Sequence, residues 1–251
     1  MGERTSYAPG TFSWAELVTS DADAAKAFYA SLFGWSYDDR PIGDGQVYSM
    51  AQRDGKTVAA LFAGDPPPHW NCYFSVASAD ESSARAKELG ATILAEPFDV
   101  MDAGRMSVLT DPTGAVASLW EARRTIGAEL VNVPGAITWC DLLTPDAGAA
   151  EAFYGGLFGW TFEEIPGAHG YRVIKNGDRS NGGVMPLQAA GTPPNWMPYF
   201  GHEDLERVLA EVGGLGGQVF NGPVRMPQGS IAVLGDPQGA ALAVWTGEYD
   251  E

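Results

Sequence analysis

Between Phe12 and Leu17 the side chains alternate. Phe12, Trp14 and Glu16 fall on one face and Ala15 and Leu17 on the other, which predicts a strand. Ser20 or Asp21 can then cap a helix, because a short polar side chain accepts the free N–H groups of a first turn. Ala24, Phe28 and Leu32 recur at helical spacing, and Gly34 offers a C-terminal stop. Candidate strands follow near 35–38, 46–52 and 56–63, and GDPPPH at 64–69 is a proline break. The order then repeats: a strand over about 70–77, a helix over about 79–89 and a strand over about 92–98. A hairpin crosses DPTG at 111–114, with Pro112 in the second turn position and Gly114 in the fourth, before an apolar strand from Ala115 to Glu121.

The same order recurs along the chain. AAKAFYASLFGW at 24–35 returns as AAEAFYGGLFGW at 149–160, with nine of twelve positions identical and a shift of 125. SWAEL (13–17) and TWCDL (138–142) share that shift, as do LTDPTGA (109–115) and LGDPQGA (234–240). PHWNCYF (68–74) pairs with PNWMPYF (194–200) at a shift of 126. All eight tryptophans fall into pairs: Trp14/Trp139, Trp35/Trp160, Trp70/Trp196 and Trp120/Trp245. A unit this long is a whole domain rather than a solenoid module. The sequence predicts an N-terminal tail (1–9), a first domain (10–121), a linker (122–134), a second domain (135–246) and a C-terminal tail (247–251). The fold class is α+β, with four strand–helix–three-strand units.

Composition narrows the partners. With 251 residues, 45% hydrophobic and 19% charged, the chain is globular. A net charge of −17 argues against nucleic acid and anionic membranes. No stretch is apolar enough to span a bilayer, and the first ten residues hold no signal-like apolar core, so a cytoplasmic protein is expected. Cys72 and Cys140 read as free, buried side chains. P-loop, dinucleotide and nucleophile motifs are absent.

The strand–Asp–helix run ending in FYASLFGW (28–35) or FYGGLFGW (153–160), with the closing DPTG and DPQG hairpins, resembles the vicinal-oxygen-chelate superfamily of glyoxalases, bleomycin-resistance proteins and extradiol dioxygenases. The tandem form is similar to an actinobacterial branch that includes a mycobacterial secreted antigen and hydroxylase-labelled proteins of antibiotic gene clusters. The resemblance implies four βαβββ units in two glyoxalase-like domains, with sheets curled around concave pockets. It also implies that metal ligands, where present, stand at Trp14 and Ser118 in the first domain and at Trp139 and Ala243 in the second. None of these is a good divalent-metal ligand. His69, His169 and His202 have no histidine at the repeat-equivalent position and read as surface or loop residues. No metal and no cofactor are expected.

The pocket lining then carries the function. Trp14 and Trp139 occupy the inward-facing positions, and Ser118 shares a strand face with Trp120, whose repeat partner is Trp245. Met106 and Val108 share a face of the neighbouring strand. Trp35 and Trp160, directly after the helices, read as core. Such a bowl suits an aromatic or polycyclic small molecule. Glu16 and Asp141, two residues after their tryptophans, are candidate acid/base groups whose pKa burial would raise. Tyr48 and Tyr171 align at a shift of 123 and could bond a ligand carbonyl, while Arg105 could grip an anion or lie on the solvent side. Two functions stay open: a metal-independent tailoring enzyme, or a protein that sequesters a drug or metabolite. One chain can supply both halves of a pseudo-dimer, and a homodimer is not excluded.

Overall fold

The computed structural model describes residues 2–168, 170–188 and 191–249. The first unit runs β1 (Phe12–Thr19), α1 (Ala22–Phe33), β2 (Ser36–Gly43), β3 (Gln46–Arg53) and β4 (Lys56–Ala63). The second runs β5 (His69–Ser75), α2 (Ala79–Glu88), β6 (Thr92–Val100), β7 (Gly104–Thr110) and β8 (Val116–Ala122). The third comprises β9 (Ile137–Thr144), α3 (Ala147–Phe158), β10 (Thr161–Glu164), β11 (Arg172–Asn176) and β12 (Arg179–Pro186). The fourth comprises β13 (Asn195–Gly201), α4 (Leu205–Glu211), β14 (Gln218–Met226), β15 (Gly229–Gly235) and β16 (Ala241–Gly247).

Local chemistry sets the helix ends. Asp21 and Asp146 cap α1 and α3 through bonds to the backbone N–H of Ala24 (3.0 Å) and Ala149 (2.9 Å). Gly34 and Gly159 end the same helices in the left-handed conformation, at φ +70° and +73°. Asp111 ties the closing hairpin, its Oδ1 accepting from the backbone N–H of Thr113 and of Ala115.

Two units make one open, mixed, eight-stranded sheet. The first has the order β2-β3-β4-β1-β5-β8-β7-β6, and the second, β10-β11-β12-β9-β13-β16-β15-β14, repeats it. In each sheet the first strands of the two units pair antiparallel at the centre (β1 with β5, β9 with β13), and each first strand also pairs parallel with its own unit's last strand. Inward-facing residues of both units therefore converge on one concave face.

The opposite faces meet between the domains and form the main core. Phe74 packs against Trp196 (centroids 4.8 Å) and Trp160 (5.5 Å), and Phe200 packs against Trp70 (5.1 Å) and Trp35 (5.4 Å). Cys72 and Cys140 are free and buried on this side. Each helix tyrosine reaches across to the closing hairpin of the other domain: Tyr29 donates to Asp236 and Tyr154 to Asp111, both at 3.0 Å. Trp35 and Trp160 also bond across, donating to the carbonyls of Gly135 (2.6 Å) and Gly10 (3.0 Å). The segments before β1 and before β9 lie together: Arg4 N–H donates to Glu129 and Val131 N–H to Gly2. No helix among the described residues is long and apolar enough to cross a membrane.

Candidate functional site: two bowls, each floored by a carboxyl

Period-two alternation on β1 turns Trp14 and Glu16 to the concave face, and the register brings β5 alongside with Tyr73 opposite Trp14 and Asn71 opposite Glu16. Glu16 is 8% exposed. Its Oε2 accepts from the Tyr48 phenol at 2.7 Å, and its Oε1 accepts from the Tyr73 phenol at 2.9 Å and from Asn71 at 3.3 Å. Trp14 Nε1 donates to the Tyr48 oxygen at 3.3 Å. Tyr48 stands on β3, two strands from β1, so this contact itself reports the curvature of the sheet. Ser118 is buried beside Tyr73 on the paired strand β8.

The second bowl repeats the plan with an indole in place of the amide among its three donors. Asp141 is 2% exposed. Its Oδ2 accepts from the Tyr199 phenol at 2.5 Å, and its Oδ1 accepts from Tyr171 at 3.0 Å and from Trp139 Nε1 at 2.9 Å. Met197 stands where Asn71 stands in the first bowl, and Ala243 where Ser118 stands. Leu143, Met197, Tyr199 and Ala243 form a separate apolar cluster, ringed by half-buried Trp139, Met185, Ile231, Val233 and Trp245.

Burial raises the pKa of both carboxyls, because desolvation penalises the charged form more than the donors favour it. Glu16 also feels His69, which lowers it. The surrounding phenols are held well above their ordinary pKa by burial and by the neighbouring carboxylate, so they remain donors.

Trp120 and Trp245 line their bowls, but their indole N–H groups are committed to the carbonyls of Thr125 (2.8 Å) and Glu248 (2.9 Å). Met106 pairs with Trp120 across β7 and β8, which fixes the bowl-facing side of β7. Arg105, a candidate ligand contact or a solvent-side residue on the sequence, is therefore on the side away from the bowl: it donates to Asp80 at 2.6 and 2.9 Å and to Asp99 at 3.0 Å, and its charge is spent there. Tyr73 and Tyr199 were not singled out in the sequence. The signal was available, since PHWNCYF and PNWMPYF place a tyrosine at the same register in both repeats.

The chemistry of the donors does not fit a divalent metal. Each carboxyl already accepts bonds to both oxygens, and Trp14, Trp139 and Ala243 offer no metal donor. Among the described residues no three His, Cys, Asp or Glu side chains cluster as a ligand set. His69 is exposed and His202 bonds the backbone of its own loop, while His169 lies outside the described residues.

Residues 11–119 match the sequence profile of the Glyoxalase/Bleomycin resistance protein/Dioxygenase superfamily. Over 254 aligned residues the chain is 44% identical to CFP32 of Mycobacterium tuberculosis, which bears a provisional glyoxylase name, with 97% of each chain covered. The chain belongs to this superfamily. It is also 32% identical to the anthracycline biosynthesis protein DnrV of Streptomyces peucetius, covering 96% of this chain and 94% of that one. In fold it is similar to the Mn(II)-bound glyoxalase of Novosphingobium aromaticivorans: TM-score 0.70, 15% identity, 100% of this chain and 85% of that one. A homoprotocatechuate 2,3-dioxygenase variant from B. fuscum gives 0.69 at 17% identity, with 98% and 74% covered. Superfamily members of this fold include metal enzymes, but the bowls of this member carry no comparable ligand set among the described residues.

Proposed function

We propose that the chain is a metal- and cofactor-independent enzyme acting on an aromatic or polyketide-like small molecule, with Glu16 as the acid/base group. One observation carries this reading: a buried carboxyl on the floor of an aromatic bowl, gripped by two phenols and with a raised pKa. Such a carboxyl keeps its proton to a higher pH than an ordinary glutamate. It can give that proton to a ligand carbonyl and recover one from an acidic position beside it. Tyr48 and Tyr73 stabilise the ionised half of that cycle, and Trp14 and Trp120 supply flat apolar walls. The similarity to a protein named for anthracycline biosynthesis supports a polycyclic ligand.

The second bowl favours a different reading, binding without turnover. Its carboxyl is one methylene shorter, and its walls are methionine, isoleucine, valine and tryptophan. We assign it apolar capture of the same class of molecule. The experiment is to incubate the protein with a polycyclic aromatic such as an anthracycline and analyse the recovered compound. Conversion by the native chain that is lost in Glu16→Gln supports the enzyme. Unchanged compound with tight binding leaves only the sequestration reading.

A further inference from the structure

Of the fifteen Lys and Arg side chains, all except Arg4 and Arg179 form an ion pair with a carboxylate among the described residues. In a chain with 32 acidic residues, an arginine without such a partner is the exception. Both exceptions line the same cavity, of about 590 Å³, whose walls include Tyr7, Thr138, Trp139 and Ser180 and no acidic side chain.

The internal repeat explains how this cavity arises. In the first domain the equivalent groove, beside Ser13, Lys56 and Thr57, is filled by the chain itself. Ala128 N–H bonds the Ser13 carbonyl at 2.8 Å, and Glu129 N–H bonds the Thr57 carbonyl at 2.8 Å. The Glu129 carboxylate accepts from both the backbone N–H and the hydroxyl of Thr57, each at 2.9 Å, and Lys56 pairs with Glu3 at 3.4 Å. In the second domain Arg179 and Ser180 hold the register positions of Lys56 and Thr57, and Thr138 that of Ser13. Arg179 has no carboxylate partner among the described residues, and Arg4, on the same cavity, adds a second positive charge.

We propose that this cavity is a separate small-molecule site for an aromatic carboxylate. Its anion would lie between Arg4 and Arg179, as the Glu129 and Glu3 carboxylates lie in the first domain, and its ring against Trp139 and Tyr7. The site is distinct from the bowls' carboxyl floors. It adjoins the second bowl at Trp139, whose indole N–H bonds Asp141 and which is also one of the residues lining the cavity.

The test is calorimetric titration of the full chain with 2-naphthoate, with neutral 2-naphthamide as the isosteric comparison and phenyl phosphate as the other anion. The expected result is saturable naphthoate binding, with the amide and phenyl phosphate each about tenfold weaker or worse. Arg179→Gln and Arg4→Gln should each weaken naphthoate by about tenfold, while Lys56→Gln leaves it unchanged. Raising the salt to about 0.5 M should weaken naphthoate and not the amide, a readout independent of any variant's folding. Equal binding of acid and amide, no naphthoate binding at millimolar concentration, or an Arg179→Gln protein that binds as the native chain does would overturn the site. Preference for phenyl phosphate would overturn its assignment to carboxylates. Because the readouts here are binding and its salt dependence rather than conversion, failure of this site and failure of the proposed catalysis are separable.

Discussion

The two bowls share a plan and differ in their furnishing. Each has a tryptophan two residues before a buried carboxyl, and each carboxyl is held by one phenol from the neighbouring central strand and one from the β3 or β11 side, Tyr48 within β3 and Tyr171 just before β11. In the first bowl Asn71 and Ser118 add polar groups, and His69 acts on Glu16 from the end of β5. In the second, Met197 and Ala243 replace them, and Trp139 turns its indole N–H onto the carboxyl itself. The duplication therefore conserves a carboxyl–phenol core and lets the periphery drift, polar on one side and apolar on the other. The closing contacts between the domains have not drifted: Tyr29–Asp236 and Tyr154–Asp111 are the same bond at the same 3.0 Å.

If that contrast divides chemistry from binding, the largest effect is on turnover. Glu16→Gln should lower conversion of a polycyclic aromatic by about 10²–10⁴-fold with affinity within a few-fold, while Asp141→Asn changes conversion by less than about threefold. Equal losses in steady-state assays of the two variants would erase the proposed division. Next in size is the symmetric control. Tyr29→Phe and Tyr154→Phe each remove a buried bond to a carboxylate, and each should cost about 1.5–3 kcal/mol in denaturant unfolding. Tyr154→Phe should cost the more of the two, because the Tyr154 hydroxyl also accepts from Trp196 Nε1 at 2.9 Å, whereas the equivalent Trp70 Nε1 makes no such bond; a larger cost for Tyr29→Phe would contradict this. Third, Trp139→Phe should reduce aromatic-ligand affinity in the second bowl by about 1–2 kcal/mol, read by titration. Trp14→Phe should cost less affinity, because Trp14 is only 6% exposed and packs into the core while Trp139 is half-buried.

The smallest effect is the pH dependence of stability. Burial raises both carboxyls, so the folded chain keeps these protons to a higher pH than the unfolded chain. That contribution is complete below the ordinary carboxylate range and is lost as the pH rises through the raised folded-state values. Glu16→Gln and Asp141→Asn should each flatten this decline in melts taken at successive pH values, with a larger change in the double variant.

The repeat made the architecture legible, because a shift held at 125 fixes which strands and helices correspond. Alternation was enough to place Trp14 with Glu16 and Trp139 with Asp141, and the shifted tyrosines pointed to Tyr48 and Tyr171. Arg105 was harder. A strand has two faces, and only the pairing of Met106 with Trp120 shows which one looks into the bowl. Tyr73 and Tyr199 are hidden in the sequence, because aromatic residues inside an apolar strand read as core until their hydroxyls are seen on a carboxyl. The groove filled by Ala128 and Glu129 in one domain and open in the other left no trace in the pattern, since irregular backbone has no periodicity to read.

The central claim is that each bowl keeps a carboxyl protonated beyond the ordinary range. The most direct measurement is a pH titration of the side-chain carboxyl carbons of Glu16 and Asp141 by 13C NMR, with Glu16→Gln and Asp141→Asn supplying the assignments. The account predicts that both resonances titrate above the ordinary values for glutamate and aspartate, with the Glu16 midpoint moving when an aromatic ligand is added. Midpoints at or below the ordinary values in both bowls would contradict it.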